Sequence, residues 1–454
     1  MLGWEFPPFI SGGLGTACYG LTKAMSGLGT DVMFVLPRPV STPFSTHVRL
    51  VSPKPGSPLE VPSTEFRLDE FEHVTFRTVN AQIGNPYQTA EQYLGKQNQQ
   101  AAAPSYAITD TTKTAVTSSV ETTKTVGRAG TAVPPPQNSS SPYGGDLFAE
   151  IQRYANLAME IARGEQFDVV HAHDWMTFPA GLAVAGLKGS PLVVHVHSTE
   201  FDRSGENIDQ RIYDIERRGM QAAMKVIAVS HLTKSICAHR YAVDPNKIEV
   251  VYNAIDINGN GFDEEQYKIH KDEKIVLFLG RITLQKGPEY FLAAAKKVLE
   301  VMDNVKFVMA GSGDMIRRII EMAAAMGIGH KVLFTGFLRG GDVEKVFKMA
   351  DLYVMPSVSE PFGIAPLEAM SHDVPVLISK QSGVSEVLTH ALKVDFWDVN
   401  EMANKIIAVL RHPPLASTLR QHGSFDVRRR SWSDAARQCL QVYEGAVGLM
   451  NGKH

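Results

Sequence analysis

Residues 353–371 read YVMPSVSEPFGIAPLEAMS and combine a buried-type strand, a polar loop and a helix start. The apolar run at 352–355 predicts a strand that a proline ends, and Gly363 then leads into apolar residues at helical spacing. Backbone N–H groups at a helix start lack intrahelical partners and carry the positive end of the helix dipole. Gly363, Ile364 and Ala365 could therefore hold a diphosphate or a sugar hydroxyl.

Two glutamates bracket this helix start. Glu360 lies in the preceding loop, and Glu368 follows about two turns further on, on the same helix face as Ile364. A carboxylate that faces a phosphate is repelled, so the pair is better suited to hydroxyl groups, with Glu360 on a sugar ring and Glu368 on a ribose diol. The alternative is a solvated charged helix face, which would be preferred for two isolated glutamates.

The run SEPFGIAPLEAM closely resembles the signature of retaining glycosyltransferases of the GT-B fold, namely family 4 and the related glycogen and starch synthases. Their signature has two glutamates separated by seven residues, as here. The resemblance implies an α/β protein with two doubly wound Rossmann-like domains facing a cleft, and a C-terminal helix that crosses back to the first domain. It also adds Phe362, inside the motif, to the expected substrate-binding residues.

The length, composition and net charge of the chain limit the class of protein. A chain of 454 residues is too long for one ordinary core, which favours two domains. Its 44% hydrophobic and 20% charged residues fit a soluble globular protein, and a net charge of −3 gives no reason to expect nucleic acid or an anionic membrane as partner. No apolar run reaches the ~18 residues of a membrane-spanning helix, and no signal peptide is recognisable.

Three widely spaced cysteines predict reduced, mostly buried thiols, so we expect a cytoplasmic protein. Residues 1–3 would form only the tail of a first strand, so either the true N-terminus lies upstream of Met1 or that strand is unusually short.

A glycine loop, SGGLG, precedes the first helical pattern of the chain. Gly12, Gly13 and Gly15 permit a ligand to approach the backbone closely, although many strand-to-helix turns carry two glycines for packing only. In the resembled family this loop comes near the donor diphosphate and the acceptor. Glycogen synthases that use ADP-glucose usually have a lysine two positions before the paired glycines, and Ile10 at that place argues against the bacterial ADP-glucose type.

The string HAHDW follows a predicted strand at 169–172. Its residues His171, His173 and Asp174 invite a zinc hypothesis, but only alternate residues of a strand share a face, so only the two histidines converge. We find no third soft ligand nearby in sequence and predict no metal. The string matches the acceptor-side loop of the family's first domain, which implies that Asp174 binds substrate, whereas His173 could equally be a core histidine.

A second buried-type strand, at 192–196, ends in HVHSTEFDRSGEN. His197 emerges at the carboxyl end of the sheet, where open α/β sheets bind ligands. In the family a histidine at this point contacts the donor sugar, and His197 matches it better than His195. The alternative is that both histidines are structural. Three charged residues are expected to shape the acceptor side: Glu200, Asp202 and Arg203.

The second half of the chain opens with KIVLFLGRITLQKGPEY. Arg281 and Lys286 leave a strand end just before a helix that begins near Pro288. Two such cations can clamp a diphosphate, Arg in a bidentate manner and Lys as a point charge. A surface pair of basic residues is the ordinary explanation, but the spacing agrees with the family's phosphate clamp. The resemblance also implies that Phe337 flanks the nucleotide base.

The alternation of predicted strands and helices, together with the family resemblance, divides the chain into an acceptor-side domain at 1–255, a nucleotide-sugar-binding domain at 256–431 and a closing helix at 432–454. Residues 96–143 are rich in Gln, Ala, Thr, Pro and Ser, and this composition predicts a disordered insertion because it cannot bury enough apolar surface. The glycines of KFVMAGSG resemble a dinucleotide fingerprint, but the third glycine is missing, so we expect no NAD and no other cofactor.

The resemblance implies a retaining hexosyltransferase that needs no metal, because positioned cations can replace Mg²⁺ at the diphosphate. His197, Arg281, Lys286 and Glu360 are the expected catalytic residues. The favoured reaction is glycogen synthase-like extension of an α-glucan from UDP- or ADP-glucose. A family 4 enzyme with a small-molecule, sugar-phosphate or lipid-linked acceptor is the first alternative, and a catalytically silent sugar-binding protein is the second. Oligomeric state cannot be read from the sequence.

Overall fold

The structure is a computed structural model, and it describes residues 1–6, 12–37, 63–66, 74–79, 146–255 and 273–452. The predicted insertion at 96–143 and Ile10 lie outside the described residues. Every described element apart from the start of one helix belongs to a compact unit formed by Met1–Ile83 and Phe148–His454. No helix within the described ranges is long and apolar enough to cross a membrane. The cytoplasmic location and the domain boundary at residue 255 stay predictions.

The first half of the chain, up to residue 255, alternates strands with helices. Its strands are β1 (Val32–Leu36), β2 (Ser63–Phe66), β3 (Val74–Val79), β4 (Val170–His173), β5 (Leu192–Val196), β6 (Lys225–Ala228) and β7 (Ile248–Val250). Its helices are α1 (Gly13–Gly27), α2 (Asp146–Arg163), α3 (Phe178–Lys188), α4 (Glu200–Ser204), α5 (Gln210–Ala222) and α6 (His231–Tyr241).

The second half, from residue 273, repeats the alternation. Its strands are β8 (Lys274–Leu279), β9 (Val305–Ala310), β10 (Val332–Gly336), β11 (Leu352–Met355), β12 (Val376–Ser379) and β13 (Leu392–Val394). Its helices are α7 (Pro288–Leu299), α8 (Ile316–Ala325), α9 (Gly341–Met349), α10 (Ala365–Ser371), α11 (Val399–Arg411), α12 (Pro413–Arg428) and α13 (Trp432–Met450).

A single N-terminal residue, Leu2, connects the two groups of strands in the first sheet. Strands β4 to β7 are parallel neighbours in chain order, β1 pairs with β3 in parallel, and β2 lies antiparallel on β3. Leu2 bridges β1 and β4. On the β4 side its N–H donates to the His171 carbonyl at 2.8 Å and its carbonyl accepts from the His173 N–H at 3.0 Å, and on the β1 side the Gly3 N–H donates to the Val35 carbonyl at 3.1 Å. The sheet order is therefore β2-β3-β1-Leu2-β4-β5-β6-β7.

The second sheet is entirely parallel and has the order β10-β9-β8-β11-β12-β13. Counted along the second half, this is the 3-2-1-4-5-6 order of a doubly wound Rossmann sheet. The strand order reverses between β8 and β11, and such a reversal opens a crevice at the carboxyl ends of the two strands. The predicted pair of doubly wound sheets is confirmed, and both segments singled out in the second half follow strands at this reversal.

The C-terminal helix packs on the first half, as predicted. Trp432, Ala436 and Cys439 of α13 are buried in the same core cluster as Leu21 of α1. Gly20 of α1 makes this contact possible, since a Cβ at that position would lie 2.2 Å from the Trp432 indole. The helix that ends the chain therefore closes the core of the sheet that begins it.

Candidate active site

The loop after β8 brings the predicted phosphate clamp to the strand-order reversal. A short 3₁₀ turn, Leu284–Lys286, precedes α7, which begins at Pro288 as expected. The Lys286 ammonium pairs with a carboxylate oxygen of Glu360, and the Ser357 hydroxyl donates to the same oxygen at 3.1 Å. The lysine and glutamate side chains are 19% and 8% exposed, so the pair is largely screened from bulk water. A predicted cation and a predicted sugar-binding carboxylate thus meet directly.

The loops after β8 and β11 are held against each other by their backbones. The Val358 N–H donates to the Gln285 carbonyl at 2.9 Å. Gly287 has a φ of +64°, and a Cβ there would lie 2.1 Å from the Pro356 carbonyl oxygen, so only glycine fits. The Lys286–Glu360 pair is therefore carried by a tightly packed pair of loops.

The other side of the Glu360 loop lies beside residues 381–384. The Glu360 N–H donates to the Gln381 carbonyl at 3.0 Å, and its carbonyl accepts from the Gly383 N–H at 2.8 Å. The Phe362 ring is only 2% exposed and belongs to the core of the second half, and its predicted contact with substrate stays a prediction. A substrate contact at this position could come from the backbone alone.

Helix α10 begins at Ala365, with Gly363 and Ile364 just before it. It has only seven residues, so its dipole would stabilise a bound diphosphate only modestly. Ile364 packs against the cores of both halves. Glu368 is half-buried on α10, and burial raises the pKa of its carboxyl. The ligand roles of these residues stay predictions.

Asp174 stabilises the loop that carries His197. The aspartate is 3% exposed and has a φ of +60°, and its carboxylate accepts from the backbone N–H groups of His197 at 2.7 Å and Ser198 at 3.3 Å. Burial raises its pKa to about 7, against the opposing effect of these bonds and of Arg203. The structure thus gives Asp174 a positioning contact, and its predicted contact with substrate stays a prediction.

Four histidines line neighbouring strands at the edge where His197 emerges. His173 Nδ1 lies 3.0 Å from His197 Nε2, and burial lowers the pKa of His197 to about 3, so its imidazole is neutral. No third soft ligand is close to His171 and His173 in sequence, but the fold brings His195 beside them. His195 stands opposite His173 in the parallel pairing of β4 with β5, and one ring nitrogen of each of these three histidines lies within 4.8 Å of the others.

The charged residues of α4 form an internal network, and their expected part in shaping the acceptor side stays a prediction. Glu200 and Asp202 are 1% and 2% exposed. Arg203 donates to Glu200 at 3.1 Å and to Glu216 at 2.6 Å. These bonds fix the segment that follows His197.

One hydrogen bond of this segment reaches the second half. Asp202 accepts from the Ser359 hydroxyl at 2.5 Å, and α4 packs against the 3₁₀ turn that ends at Lys286. The loops after β5, β8 and β11 therefore meet. Sequence reasoning missed Ser357, Ser359 and Gln285, because nothing in their local sequence distinguishes them from ordinary loop residues.

The two glycines at the start of α1, Gly12 and Gly13, make no close packing contact with the described residues. Gly12 is extended, with a φ of −178°, and Gly13 is the first residue of α1. A Cβ at Gly12 or Gly13 would meet no atom of the described residues within 4 Å. Packing against the described residues therefore does not explain these two glycines, and their predicted role in the approach of a ligand stays a prediction. Gly15 is buried in the first turn of α1.

Two further predicted residues lie at the carboxyl ends of second-half strands. Arg281 follows β8 and is half-buried. Phe337 follows β10 and is 50% exposed, and the Arg339 guanidinium lies 5.2 Å from its ring centroid. An exposed ring of this kind is available for stacking on a base. Both assignments stay predictions.

Known families match the chain in three consecutive segments. The family described as "Starch synthase catalytic domain" matches residues 1–113, "Glycosyltransferase Family 4" matches residues 114–258, and "Glycosyl transferases group 1" matches residues 260–424. Among curated relatives, an uncharacterized glycosyltransferase of Methanocaldococcus jannaschii is 34% identical over 63% of this chain and 77% of its own length. The UDP-Gal:α-D-GlcNAc-diphosphoundecaprenol α-1,3-galactosyltransferase of Escherichia coli is 28% identical over 56% of this chain and 68% of its own.

Solved structures share the whole architecture at low sequence identity. The sucrose-phosphate synthase of Thermosynechococcus elongatus is 19% identical, with a TM-score of 0.66 over 96% of this chain and 93% of its own. The catalytic domain of Arabidopsis thaliana starch synthase IV, bound to ADP and acarbose, is 15% identical, with a TM-score of 0.66 over 98% of each chain. These likenesses establish the GT-B fold.

The chain belongs to the group 1 and family 4 glycosyltransferases, retaining enzymes of the GT-B fold that transfer hexosyl groups from nucleotide sugars. The predictions of fold, family and enzyme class are confirmed, whereas the donor base and the acceptor are not defined by these matches.

Proposed function

We propose that the chain transfers a glucosyl group from UDP- or ADP-glucose to a growing α-glucan, with retention of the anomeric configuration. The observation that carries the proposal is the pairing of Lys286 with Glu360 where the strand order of the second sheet reverses. The starch synthase match at residues 1–113 and the fold shared with starch synthase IV, which was solved with acarbose, support a glucan acceptor.

Departure of the nucleoside diphosphate places negative charge on its phosphate. Arg281 and Lys286, both after β8, are the cations that would stabilise this charge. The Lys286 ammonium has three N–H donors, so it can keep its bond to Glu360 while it binds a phosphate oxygen. Positioned cations supply the charge that Mg²⁺ would otherwise supply, so we infer that no divalent ion is needed at the diphosphate.

The sugar would lie between Glu360 and His197. Ser357 and Lys286 fix the carboxylate of Glu360, which can accept hydrogen bonds from sugar hydroxyls on its remaining lone pairs. His197 is neutral and therefore contributes a hydrogen bond and no charge. We favour front-face substitution, in which the departing phosphate accepts the proton of the acceptor hydroxyl while the new glycosidic bond forms.

A lipid-linked acceptor is the second candidate, because the name of the E. coli relative specifies a diphosphoundecaprenol substrate. The two candidates share the donor half of the site and differ only in the acceptor.

The first test is the thermal stability of the purified chain with UDP, ADP, GDP and their glucose esters, each with Mg²⁺ and with EDTA. A ligand at 100 times its dissociation constant adds about 2.7 kcal/mol to the free energy of unfolding, which is visible as a higher melting temperature. We expect one base to stabilise the protein equally in Mg²⁺ and in EDTA. Lys286→Ala should lose that shift, and Lys345→Ala, which removes an exposed lysine paired with Asp342, should keep it.

The acceptor is then identified by incubating the protein and the stabilising donor with maltoheptaose or with a polyprenyl-diphosphate sugar. Extension of maltoheptaose supports the glucan proposal, and transfer to the lipid-linked sugar alone replaces it with the second candidate. Donor binding without transfer to either acceptor would support the silent sugar-binding protein. Absence of any thermal shift would contradict the donor assignment itself.

A further inference from the structure

Strands β4 and β5 bury a group of histidines that the transfer reaction does not use. His171 and His173 lie on alternate positions of β4 and so share a face, and His195 stands opposite His173 on β5. All three side chains are at most 2% exposed. They lie behind His197, on the inner side of the sheet edge that faces the site.

The nitrogen atoms of this group lack hydrogen-bond partners. His171 Nε2, His173 Nε2 and both ring nitrogens of His195 are buried without a partner among the described residues. Leaving a buried polar atom without a partner costs about 1–3 kcal/mol. Such atoms in a folded protein normally bind an ordered water or an ion. Three histidines with four such atoms therefore point to a ligand between them.

We propose that His171, His173 and His195 bind one divalent transition-metal ion, with Zn²⁺ the best match to three neutral imidazoles in a tetrahedral site. Zn–N bonds of about 2.0–2.1 Å place two ligand nitrogens of a tetrahedral site about 3.3 Å apart. One nitrogen from each of the three residues lies within 4.8 Å of the others. The three rings are stacked or tilted at 8–33° to one another, so side-chain rotations that turn one nitrogen of each toward a common point and close these separations by up to about 1.5 Å would complete the site.

The hydrogen bonds of two of the three imidazoles are compatible with the tautomer that the site requires. The Tyr443 hydroxyl lies 2.5 Å from His171 Nδ1 and donates to Met25 Sδ at 3.9 Å, so its oxygen can accept from a His171 Nδ1–H. That tautomer leaves the lone pair on His171 Nε2, which is buried without a partner among the described residues. His173 is equivalent, because its Nδ1 bonds to His197 and its Nε2 has no partner. Such outer partners orient most metal-bound histidines.

Cys18 lies beside one member of this group, His173. Its sulfur lies within 4.8 Å of ring nitrogens of His173 and His197, and its side chain is fully buried. Three imidazoles favour Zn²⁺ over Mg²⁺ or Ca²⁺, which prefer oxygen ligands, and a water can take the fourth position of such a site.

The ion would also determine the tautomer of the residue assigned to the donor sugar. A metal on His173 Nε2 keeps the proton on His173 Nδ1, which then donates to His197 Nε2. The proton of neutral His197 must in that case lie on its Nδ1, the nitrogen that has no partner among the described residues. The metal is thus a positioning element, separate from the diphosphate.

The test uses the full chain, expressed without a polyhistidine tag and passed through metal-free buffer, in the absence of any sugar ligand. Metal content is measured by plasma mass spectrometry, and the metal-depleted protein is titrated with Co²⁺ alone while visible absorption is recorded. We expect about one ion per chain and the strong absorption of tetrahedral Co²⁺. His239→Asn, a control in an exposed histidine bonded to Ser235, should behave as the wild type, and His195→Leu should lose both signals.

Tyr443→Phe covers the case in which His195→Leu fails to fold. It keeps the ring of Tyr443 and removes only the oxygen that accepts from His171, and we expect Co²⁺ affinity to fall about 10–100-fold. A wild-type chain that holds no metal and gives no Co²⁺ absorption would overturn the proposal and leave ordered water as the occupant. Equal Co²⁺ binding by wild type and His195→Leu would also overturn it. Either result leaves the transfer proposal standing, because no sugar or nucleotide enters the measurement.

Discussion

Lys286 and Glu360 act as a unit because each compensates the charge of the other in a partly buried place. Removing one partner of such a pair leaves an uncompensated charge, so the effect of a single substitution exceeds the net value of the interaction. Ser357 adds a third member, since its hydroxyl donates to the same carboxylate oxygen at 3.1 Å.

We expect Lys286→Ala and Glu360→Ala each to lower kcat by about 10²–10³, the usual loss for one transition-state contact. Residues that act as a unit are non-additive, so the double variant should lose much less than the product of the two factors. Steady-state and single-turnover kinetics of the four proteins measure this, with Lys345→Ala as the control. Normal turnover in both single variants would refute the site assignment.

A substitution of Gly13 distinguishes a role in ligand binding from a role in packing. A Cβ there meets no described atom within 4 Å, and the residue begins α1. Gly13→Ala should therefore leave the free energy of unfolding unchanged or raise it by about 0.4–1 kcal/mol, because alanine loses less chain entropy. Donor or acceptor affinity should fall about tenfold, which is 1.4 kcal/mol. Urea unfolding and titration calorimetry test this together, and unchanged affinity for both substrates would return Gly13 to the role of an ordinary turn residue.

At the scale of elements, the contact of α1 with α13 ties the end of the chain to its beginning. Trp432 and Ala436 lie in the core built on the first sheet, beside Leu21 and Met25. Gly20 is the residue that sets how closely the two helices approach.

Two glycines of α1 should respond to alanine in opposite directions. Gly20→Ala places a methyl group 2.2 Å from the Trp432 indole and should cost about 1–3 kcal/mol of unfolding free energy, as overpacked cores do. Gly27→Ala, on the same helix, meets no described atom within 4 Å and should be neutral or stabilising by up to about 1 kcal/mol. Chemical denaturation of both variants measures the difference. Equal stabilities would mean that α13 does not pack on α1 in this way.

Elements were easier to predict than the contacts between them. The strand, loop and helix at 353–371 follow from local spacing, and the helix near Pro288 begins where its proline places it. His195 as a partner of His173 could not be predicted, because the register of two parallel strands is set by the whole sheet. Phe362 was assigned to substrate from its motif, but the core of the second half buries its ring. Asp174 was assigned in the same way, and the structure shows its carboxylate bound to backbone N–H groups.

At the scale of the whole molecule, polar contacts join the loops and helices of the two halves of the chain. Ser359 donates to Asp202 at 2.5 Å beside the Lys286–Glu360 pair. The Glu386 carboxylate accepts from the His231 and Leu232 N–H groups at 2.9 and 2.8 Å, so a second-half side chain caps the start of α6. A carboxylate at a helix N-terminus satisfies otherwise unpaired donors and the helix dipole.

Ser359→Ala should impair catalysis although Ser359 is not assigned to substrate. A hydrogen bond to a charged group contributes about 1.5–3 kcal/mol, so kcat/KM should fall roughly ten- to hundredfold if this bond holds the two halves in the reactive arrangement. Ser371→Ala, which removes a hydroxyl bonded within its own helix, is the control. Equal kcat/KM in the two variants would show that the Asp202 contact is incidental.

The most direct test of the central claim is transfer of a labelled glucosyl group from the stabilising nucleotide sugar to maltoheptaose in EDTA, with the new linkage read by NMR. We predict an α-linked extended glucan and one nucleoside diphosphate released per bond formed, at a rate that Lys286→Ala and Glu360→Ala reduce by about 10²–10³. A β-linked product, a requirement for Mg²⁺, or full activity in both variants would contradict the account.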